Sequence, residues 1–162
     1  MTTWYLFRHA LATHSQSGYG DNILTATILP EGIPPIERMA EYIRGLPKSV
    51  NWSSELLRCG QTTNIITKIT GRTFTTDARL NEYYNETFEV FRKRIASWLD
   101  GMMTLHPSIV LVCTHGAVIA GLKHLIIEGE FLESQSFDYP KCGQLLVVTR
   151  KRSAVLDFVP EF

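Results

Sequence analysis

Short apolar runs alternate along this chain with longer segments in which apolar residues recur at every third or fourth position. The runs are rich in β-branched and aromatic residues and predict strands at 4–7, 49–54, 72–77, 108–114, 144–150 and 154–159. The longer segments predict helices that bury one face, and they lie at 36–46, 65–69, 88–102 and 116–127. This alternation favours a three-layer α/β/α sandwich around a mostly parallel sheet. We expect an antiparallel element where the last run folds back as a hairpin.

The length and charge of the chain narrow the possible functions. At 162 residues the chain suffices for one domain with a buried core, so we expect a single domain over 1–162. Its 16 basic side chains balance 16 acidic ones, which argues against nucleic-acid binding. Any affinity for phosphate must then come from a local group of basic residues rather than from the net charge. No apolar stretch reaches the roughly 18 residues of a membrane span, and no basic leader precedes the first run. We therefore expect a soluble, cytoplasmic protein that does not bind membranes.

The sequence lacks the motifs of several classes of enzyme. Cys59, Cys113 and Cys142 form an odd number without paired spacing, which predicts reduced thiols. None of them begins the C-x5-R loop of cysteine-based phosphatases. No metal-binding motif is present, and Gly18 and Gly20 are not followed by the G-K-[ST] of a nucleotide-binding loop. The sequence thus predicts chemistry without a metal ion or a cofactor.

Basic residues and histidines follow three of the predicted strands. Arg8 and His9 end the first run, His115 ends the run at 108–114, and Arg58 follows the weaker strand near residue 50. In open α/β sheets, ligands bind outside the carboxyl ends of the strands. Gly116 opens the next helix, whose first N–H groups can face an anion. Because guanidinium groups grip phosphate oxygens in pairs and imidazole can attack phosphorus, this set predicts a phosphoryl site.

Four stretches together resemble the signatures of the histidine phosphatase (phosphoglycerate mutase-like) superfamily. "LFRHA" resembles its R-H-G motif, and "LPEGIPPIERMAEYI" its L-T-x-x-G segment. "SSELLRCGQTT" is similar to its S-S-x-x-x-R-x-x-Q-T segment, and "VCTHGAVIAGL" to its second-histidine strand and helix. The order agrees, and the resemblance spans Leu6 to Leu122. A single R-H dipeptide is a weak signal, but four ordered segments are specific.

The resemblance implies a phosphohistidine mechanism. His9 would be the nucleophile, with its second ring nitrogen held by a backbone carbonyl and with cationic neighbours that keep it neutral. Arg8, Arg58 and His115, together with the Gly116 backbone, would bind the phosphoryl oxygens and stabilise the transition state.

The resemblance also implies a carboxylic acid that protonates the leaving group. "DARLNEYYNE" resembles the family's P-x-L-x-E segment, so Glu82 is the candidate, and we expect its pKa to be raised if the pocket desolvates it. Glu86 and Glu55 are the alternatives. Two other histidines, His106 and His124, are assigned to structural roles.

The chain departs from the family pattern in its first loop. Ala10 replaces the family's glycine, which would cost about 1 kcal/mol if the position needed a positive φ. Leu11 and Ala12 stand where relatives carry polar residues. The substitutes for phosphate contact are Thr13, His14 and Ser15.

The segment between Glu82 and the long helix is short, only "YYNETF". This predicts an open pocket that Tyr83, Tyr84 and Tyr19 could line. An open pocket suits a phosphorylated protein side chain as well as a small phosphorylated molecule, and it makes mutase activity the less favoured reading.

We therefore expect a metal-independent phosphatase of phosphomonoesters. Two alternatives stay open: a phosphatase for phosphohistidine on a partner protein, and a phosphate-binding domain without catalysis. The sequence leaves the physiological substrate and the oligomeric state open.

Overall fold

The structure of the protein is a computed structural model that describes residues 1–13 and 22–159. The described residues form six strands: β1 Thr3–Arg8, β2 Val50–Ser53, β3 Thr75–Thr76, β4 Ile109–Thr114, β5 Gln144–Val148 and β6 Ser153–Asp157. They also form four α-helices: α1 Ile33–Arg44, α2 Leu57–Thr70, α3 Phe88–Leu105 and α4 Gly116–Glu128. Short 3₁₀ turns precede α1 and follow β3.

One mixed sheet organises the molecule, with the strand order β3-β2-β4-β1-β5-β6. The first four strands in this order are parallel, and β5 and β6 join antiparallel as a hairpin beside β1. The sheet confirms the predicted mostly parallel arrangement with its antiparallel element. The expected edge strand at 72–77 is confirmed in position but is only two residues long.

The alternation of side chains along the strands creates the two cores. Trp4 and Leu6 of β1 face a cluster that includes buried residues of α3 and α4. Tyr5 and Phe7 face the opposite cluster, which includes residues of α1 and α2. Because successive side chains of a strand point to opposite faces, both sides of the sheet carry a helical layer. The predicted three-layer sandwich is confirmed.

The ends of the helices follow local sequence signals. Two prolines occupy the first turn of α1, where their missing N–H groups cost no hydrogen bond. Gly71 ends α2 with a φ of 76°, a left-handed conformation that favours glycine. His106 ends α3 in the same region, with a φ of 50°. None of the helices in the described ranges has the length and hydrophobicity needed to cross a membrane.

The carboxyl ends of β1, β2 and β4 meet at one edge of the sheet. Arg8 at the end of β1 is in register with Thr114 at the end of β4, and Ser53 ends β2 beside Cys113. The residues that follow these strands therefore converge. Among residues 1–13 and 22–159, this edge holds most of the buried polar side chains.

Candidate active site

Two buried histidines face each other at this edge. His9 follows β1 directly, and His115 follows β4 at the position before the first turn of α4. Their ring centroids lie 5.5 Å apart, and neither ring is exposed to solvent. Residues separated by about a hundred positions in the sequence are thus neighbours because β1 and β4 pair in parallel.

His9 is held in one tautomer and kept neutral. Its Nδ1 lies 2.8 Å from the carbonyl oxygen of Ala10, so Nδ1 carries the proton and Nε2 is left with a lone pair. Burial and the charge of His115 lower the pKa of His9 well below its ordinary value, and the bond to Ala10 opposes them only in part. Arg8 and Arg58 add positive charge nearby. A neutral imidazole whose Nε2 is unprotonated is a potential nucleophile.

Arg58 connects the polar groups of the site. It lies in the first turn of α2, and its side chain is fully buried. Its Nε donates to Nε2 of His9 at 3.2 Å. Its Nη2 lies 3.4 Å from Oε2 of Glu82 and 3.5 Å from Nδ1 of His115. The guanidinium also donates to the carbonyl of Ile23, which fixes its plane toward the two histidines.

Glu82 reaches into the same space from the loop before α3. Its Oε2 lies 2.7 Å from Nδ1 of His115, and its side chain is 21% exposed. Burial raises the pKa of Glu82, but the hydrogen bond and charge of His115, with the charges of Arg58 and Arg8, outweigh burial and lower it. The expected rise in this pKa is therefore wrong for the free protein, because the carboxylate lies among cations rather than in an apolar pocket.

The two substitute carboxylates lie outside this cluster. Glu86 accepts from Nε of Arg94 at 2.9 Å, and Glu55 accepts from the side-chain amide of Asn81 at 3.3 Å. Neither has a described contact with the histidines. Glu82 is thus the better placed of the three.

Arg8 brings a second guanidinium to the site. Its Cζ lies 5.2 Å from the ring centroid of Tyr139, which supports it through a cation–π contact. Its Nε is buried and has no hydrogen-bond partner in the described part of the chain. A buried N–H group of this kind is costly unless an acceptor pairs with it, so the geometry suits an anionic ligand.

Gly116 makes room for this arrangement. A Cβ atom at this position would lie 2.5 Å from the ring of Tyr139. The glycine therefore lets the ring of Tyr139 cover the first turn of α4 and make its cation–π contact with Arg8. Tyr139 lies in a polar loop and had no signal in the sequence that tied it to the site.

Ala10 fits its position without strain. It is absent from the non-glycine residues with positive φ, which in the described ranges are Asn85 and His106. Its N–H donates to Oγ1 of Thr62 at 2.8 Å, and that hydroxyl donates to the Arg58 carbonyl at 2.8 Å. The cost considered for alanine at this position does not arise, because the backbone there is not left-handed.

Other predicted contacts are placed differently. The hydroxyl of Thr13 donates to the Thr27 carbonyl at 3.3 Å and is committed to its own loop. His14, Ser15 and Tyr19 lie outside the described residues. 

The tyrosines after Glu82 have separate roles. Tyr83 stacks on Phe91 with ring centroids 4.1 Å apart and belongs to an aromatic cluster. Tyr84 is half exposed and lines a groove together with Glu82 and Arg94.

Sulfur groups lie near the site but form no metal cluster. All three cysteines are free thiols, and Sγ of Cys59 lies 3.6 Å from Nε2 of His115. In residues 1–13 and 22–159, no three His, Cys, Asp or Glu side chains are grouped to hold a metal ion.

The fold and the paired histidines define a class of protein that a sequence comparison identifies. A profile of the histidine phosphatase superfamily (branch 1) matches residues 4–89 and 83–159, nearly the whole chain. The protein therefore belongs to this superfamily. A search among curated protein sequences found no match.

Solved structures share the fold at low sequence identity. The alpha-ribazole phosphatase from Shigella flexneri superposes with a TM-score of 0.78 at 14% identity, covering 96% of this chain and 95% of that one. Bacillus stearothermophilus YhfR gives 0.73 at 16% identity, covering 99% and 100%. The protein histidine phosphatase SixA, solved with tungstate, gives 0.71 at 14% identity, covering 96% and 94%. These similarities establish the fold.

Proposed function

We propose that the protein is a metal-independent phosphatase that hydrolyses phosphomonoesters through a phosphohistidine on His9. One observation carries the proposal: a buried, neutral imidazole presents an unprotonated Nε2 to the Arg58 guanidinium, with Nδ1 held by the Ala10 carbonyl. This is the arrangement a nitrogen nucleophile needs, with cationic donors beside the incoming phosphoryl group.

The reaction has two displacements. In the first, Nε2 of His9 attacks phosphorus in line, the bond to the ester oxygen breaks, and the leaving alkoxide takes a proton. In the second, water attacks the phosphorus and gives a proton to the Glu82 carboxylate, the P–N bond breaks, and phosphate leaves. Arg8, Arg58 and His115 bind the non-bridging oxygens throughout, and each such donor contributes about 3 kcal/mol to the transition state.

Glu82 supplies the proton in this mechanism. In the free site its carboxylate is bound to Nδ1 of His115 and lies near Nη2 of Arg58. A phosphoryl group needs those same donors, so its oxygens displace the carboxylate. Once displaced, Glu82 faces a dianion in a partly buried site, and both burial and the added negative charge favour its protonated form. It can then protonate the ester oxygen.

A second candidate substrate is phosphohistidine on a partner protein. The lowered pKa of Glu82 favours it, because burial is outweighed by His115 and the arginines and the carboxylate stays ionised in the free enzyme. A leaving imidazole needs less acid catalysis than an alkoxide. SixA, described as a protein histidine phosphatase, shares this fold.

The test compares His9→Ala with wild type on p-nitrophenyl phosphate in EDTA. We expect wild-type turnover and no measurable turnover by the variant. His106→Asn is the matched control, since it replaces a histidine outside the site with a residue that tolerates the left-handed backbone. Turnover that survives in His9→Ala contradicts the mechanism. Phosphate binding without turnover in wild type would favour the non-catalytic alternative.

Glu82→Gln separates the two substrate classes. With an alkyl phosphate such as glycerol phosphate we expect kcat to fall about a hundredfold, because the alkoxide needs an acid. With p-nitrophenyl phosphate or a phosphohistidine protein the loss should be small. If wild type hydrolyses the phosphohistidine protein far faster than any alkyl phosphate, the second candidate replaces the first.

A further inference from the structure

His115 is held through Nε2 by a hydrogen-bond relay that its role in anion binding does not require. Nε2 lies 2.8 Å from Oγ of Ser54, a fully buried residue. Oγ of Ser54 lies 2.9 Å from Oδ1 of Asn81, and it accepts from the N–H of Leu56 at 3.2 Å. The relay thus runs from Asn81 through Ser54 to His115.

The direction of the relay is set at Asn81. Its Oδ1 accepts from the backbone N–H of Glu55 at 2.9 Å, and its Nδ2 donates to Oε1 of Glu55 at 3.3 Å. If the side-chain amide of Asn81 were flipped, its NH₂ group would face the backbone N–H of Glu55, and two donors would meet. The atom that faces Ser54 is therefore an oxygen, which can only accept.

The hydroxyl of Ser54 has one proton to give. If that proton went to His115, two oxygens would face each other at 2.9 Å without a hydrogen between them. Ser54 therefore donates to Asn81, and its remaining lone pair accepts from His115. Nε2 of His115 must carry a proton to make that bond.

This constraint reaches the site through the other ring nitrogen. A neutral imidazole has one proton, and with that proton on Nε2 its Nδ1 is a lone pair. Nδ1 is the atom that lies 2.7 Å from Glu82 and 3.5 Å from Arg58, facing the centre of the site. It can donate to an anion only when a second proton is added.

We propose that Ser54 and Asn81 are positioning residues that keep the proton of neutral His115 on Nε2, so that His115 donates to a phosphoryl oxygen only as an imidazolium. The inference rests on the proposed function, because it takes the anion to be the phosphoryl group. It makes oxyanion binding depend on the charge of His115 rather than on a fixed neutral donor.

The groups around His115 support a cationic state. Burial lowers its pKa, but Cys59 and Glu82 together outweigh burial and raise it. The cation facing it is Arg58 from α2, Arg8 from the end of β1 acts on the neighbouring Glu82, and the neutral ring of His9 lies beside it. Anion affinity should therefore fall as the pH rises through the titration of His115.

The decisive measurement is the tautomer of His115 in the free protein, read from long-range ¹H–¹⁵N correlation spectra of histidine-labelled protein above its titration. We expect the Nε2–H form in wild type, assigned by its absence from His115→Gln. In Asn81→Ala the Ser54 hydroxyl loses its acceptor and can donate to the ring, so the Nδ1–H form should gain population. Asn81→Asp keeps an acceptor oxygen and should restore the wild-type form.

The functional readout is tungstate affinity from pH 7 to 9.5, a range in which this probe keeps its charge. In wild type and Asn81→Asp, Kd should rise about tenfold per pH unit above the titration of His115, as expected for loss of one required proton. In Asn81→Ala the rise should be less than about threefold per unit, because a neutral ring can then donate.

An Nδ1–H tautomer in wild type overturns the inference. It is also overturned if Asn81→Ala matches wild type both in the tautomer of His115 and in the rise of the tungstate Kd at alkaline pH. If Asn81→Ala does not fold, the wild-type spectrum alone decides. Because the tautomer is measured without ligand, absence of phosphatase activity would contradict the proposed function and leave this result standing.

Discussion

In the proposed mechanism, the carboxylate of Glu82 occupies the place that a phosphoryl oxygen takes. It lies 2.7 Å from Nδ1 of His115 and 3.4 Å from Nη2 of Arg58, which are donors that the proposed mechanism assigns to the phosphoryl group. Substrate binding in this mechanism therefore includes the displacement of an internal anion. The exchange would keep the buried charges compensated and reverse the electrostatic environment of Glu82 when a dianion arrives.

The exchange predicts the effect of removing the internal charge. Glu82→Gln should bind tungstate about tenfold more tightly than wild type at pH 6, because the neutral amide neither repels the anion nor competes as strongly for its donors. Isothermal titration calorimetry measures the difference. Glu41→Gln is the control, since this exposed carboxylate of α1 pairs with Arg44 and has no described contact with the histidines or their relay, and it should leave the affinity unchanged. If Glu82→Gln bound tungstate as weakly as wild type or more weakly, the carboxylate of Glu82 would not be competing with the anion.

At the scale of elements, α3 holds the loop that carries Glu82. Arg94 donates to the carbonyl of Arg79 at 2.7 Å and to that of Glu82 at 3.0 Å, and it pairs with the carboxylate of Glu86. A single side chain thus fixes both ends of the segment from the 3₁₀ turn to the start of the helix. Arg94 thus holds the loop of Glu82 through its backbone carbonyls.

Arg94→Lys should therefore destabilise the protein and displace Glu82. Lysine cannot reproduce the planar set of donors, so we expect a loss of about 1–3 kcal/mol in the free energy of unfolding, measured with urea. We also expect kcat on an alkyl phosphate to fall more than kcat on p-nitrophenyl phosphate. Arg92→Ala, on the same helix and paired with exposed Glu89, is the control and should change neither. Equal losses on both substrates would argue against a role through Glu82.

The elements themselves were predictable because their signals are local. The alternating side chains of β1 and β4, the threefold and fourfold spacing in α1 and α3, and the glycine at position 71 each depend on a few neighbouring residues. The shortness of β3 was not predictable, because the local sequence does not show that β3 pairs only with Trp52 and Ser53 of β2.

The candidate site was predictable in part for the same reason. His9, Arg58 and His115 follow apolar strands whose carboxyl ends must meet. The lowered pKa of Glu82 depends on which side chains face it across the fold, and no spacing encodes that. The spacing of apolar residues in α3 places Arg94 on the face predicted to be exposed to solvent. Its long side chain instead turns back to the loop that carries Glu82.

For the molecule as a whole, a buried neutral histidine links stability to pH. The folded pKa of His9 is lowered by burial and nearby charge, whereas in the unfolded chain it returns to about 6.5. The unfolded state therefore binds a proton that the folded state does not, and stability is lost as the pH falls below the unfolded value. His115, with a raised folded pKa, has the opposite sign and loses its contribution as the pH rises.

Replacing His9 should flatten the acid side of the stability profile. Between pH 7 and pH 5 we expect the free energy of unfolding of His9→Asn to fall less steeply than that of wild type, by up to about 1.4 kcal/mol per pH unit. Urea denaturation at a series of pH values measures both slopes. Parallel profiles would show that His9 is not kept neutral in the folded protein.

The proposed mechanism requires a covalent bond between phosphorus and Nε2 of His9, and rapid-quench labelling detects that bond directly. Wild type mixed with a ³²P-labelled phosphomonoester should carry protein-bound label that is stable in alkali and released in acid, at up to one phosphate per active site. His9→Ala should carry none. Turnover by wild type without such a label, or equal labelling of His9→Ala, would contradict a phosphohistidine intermediate on His9.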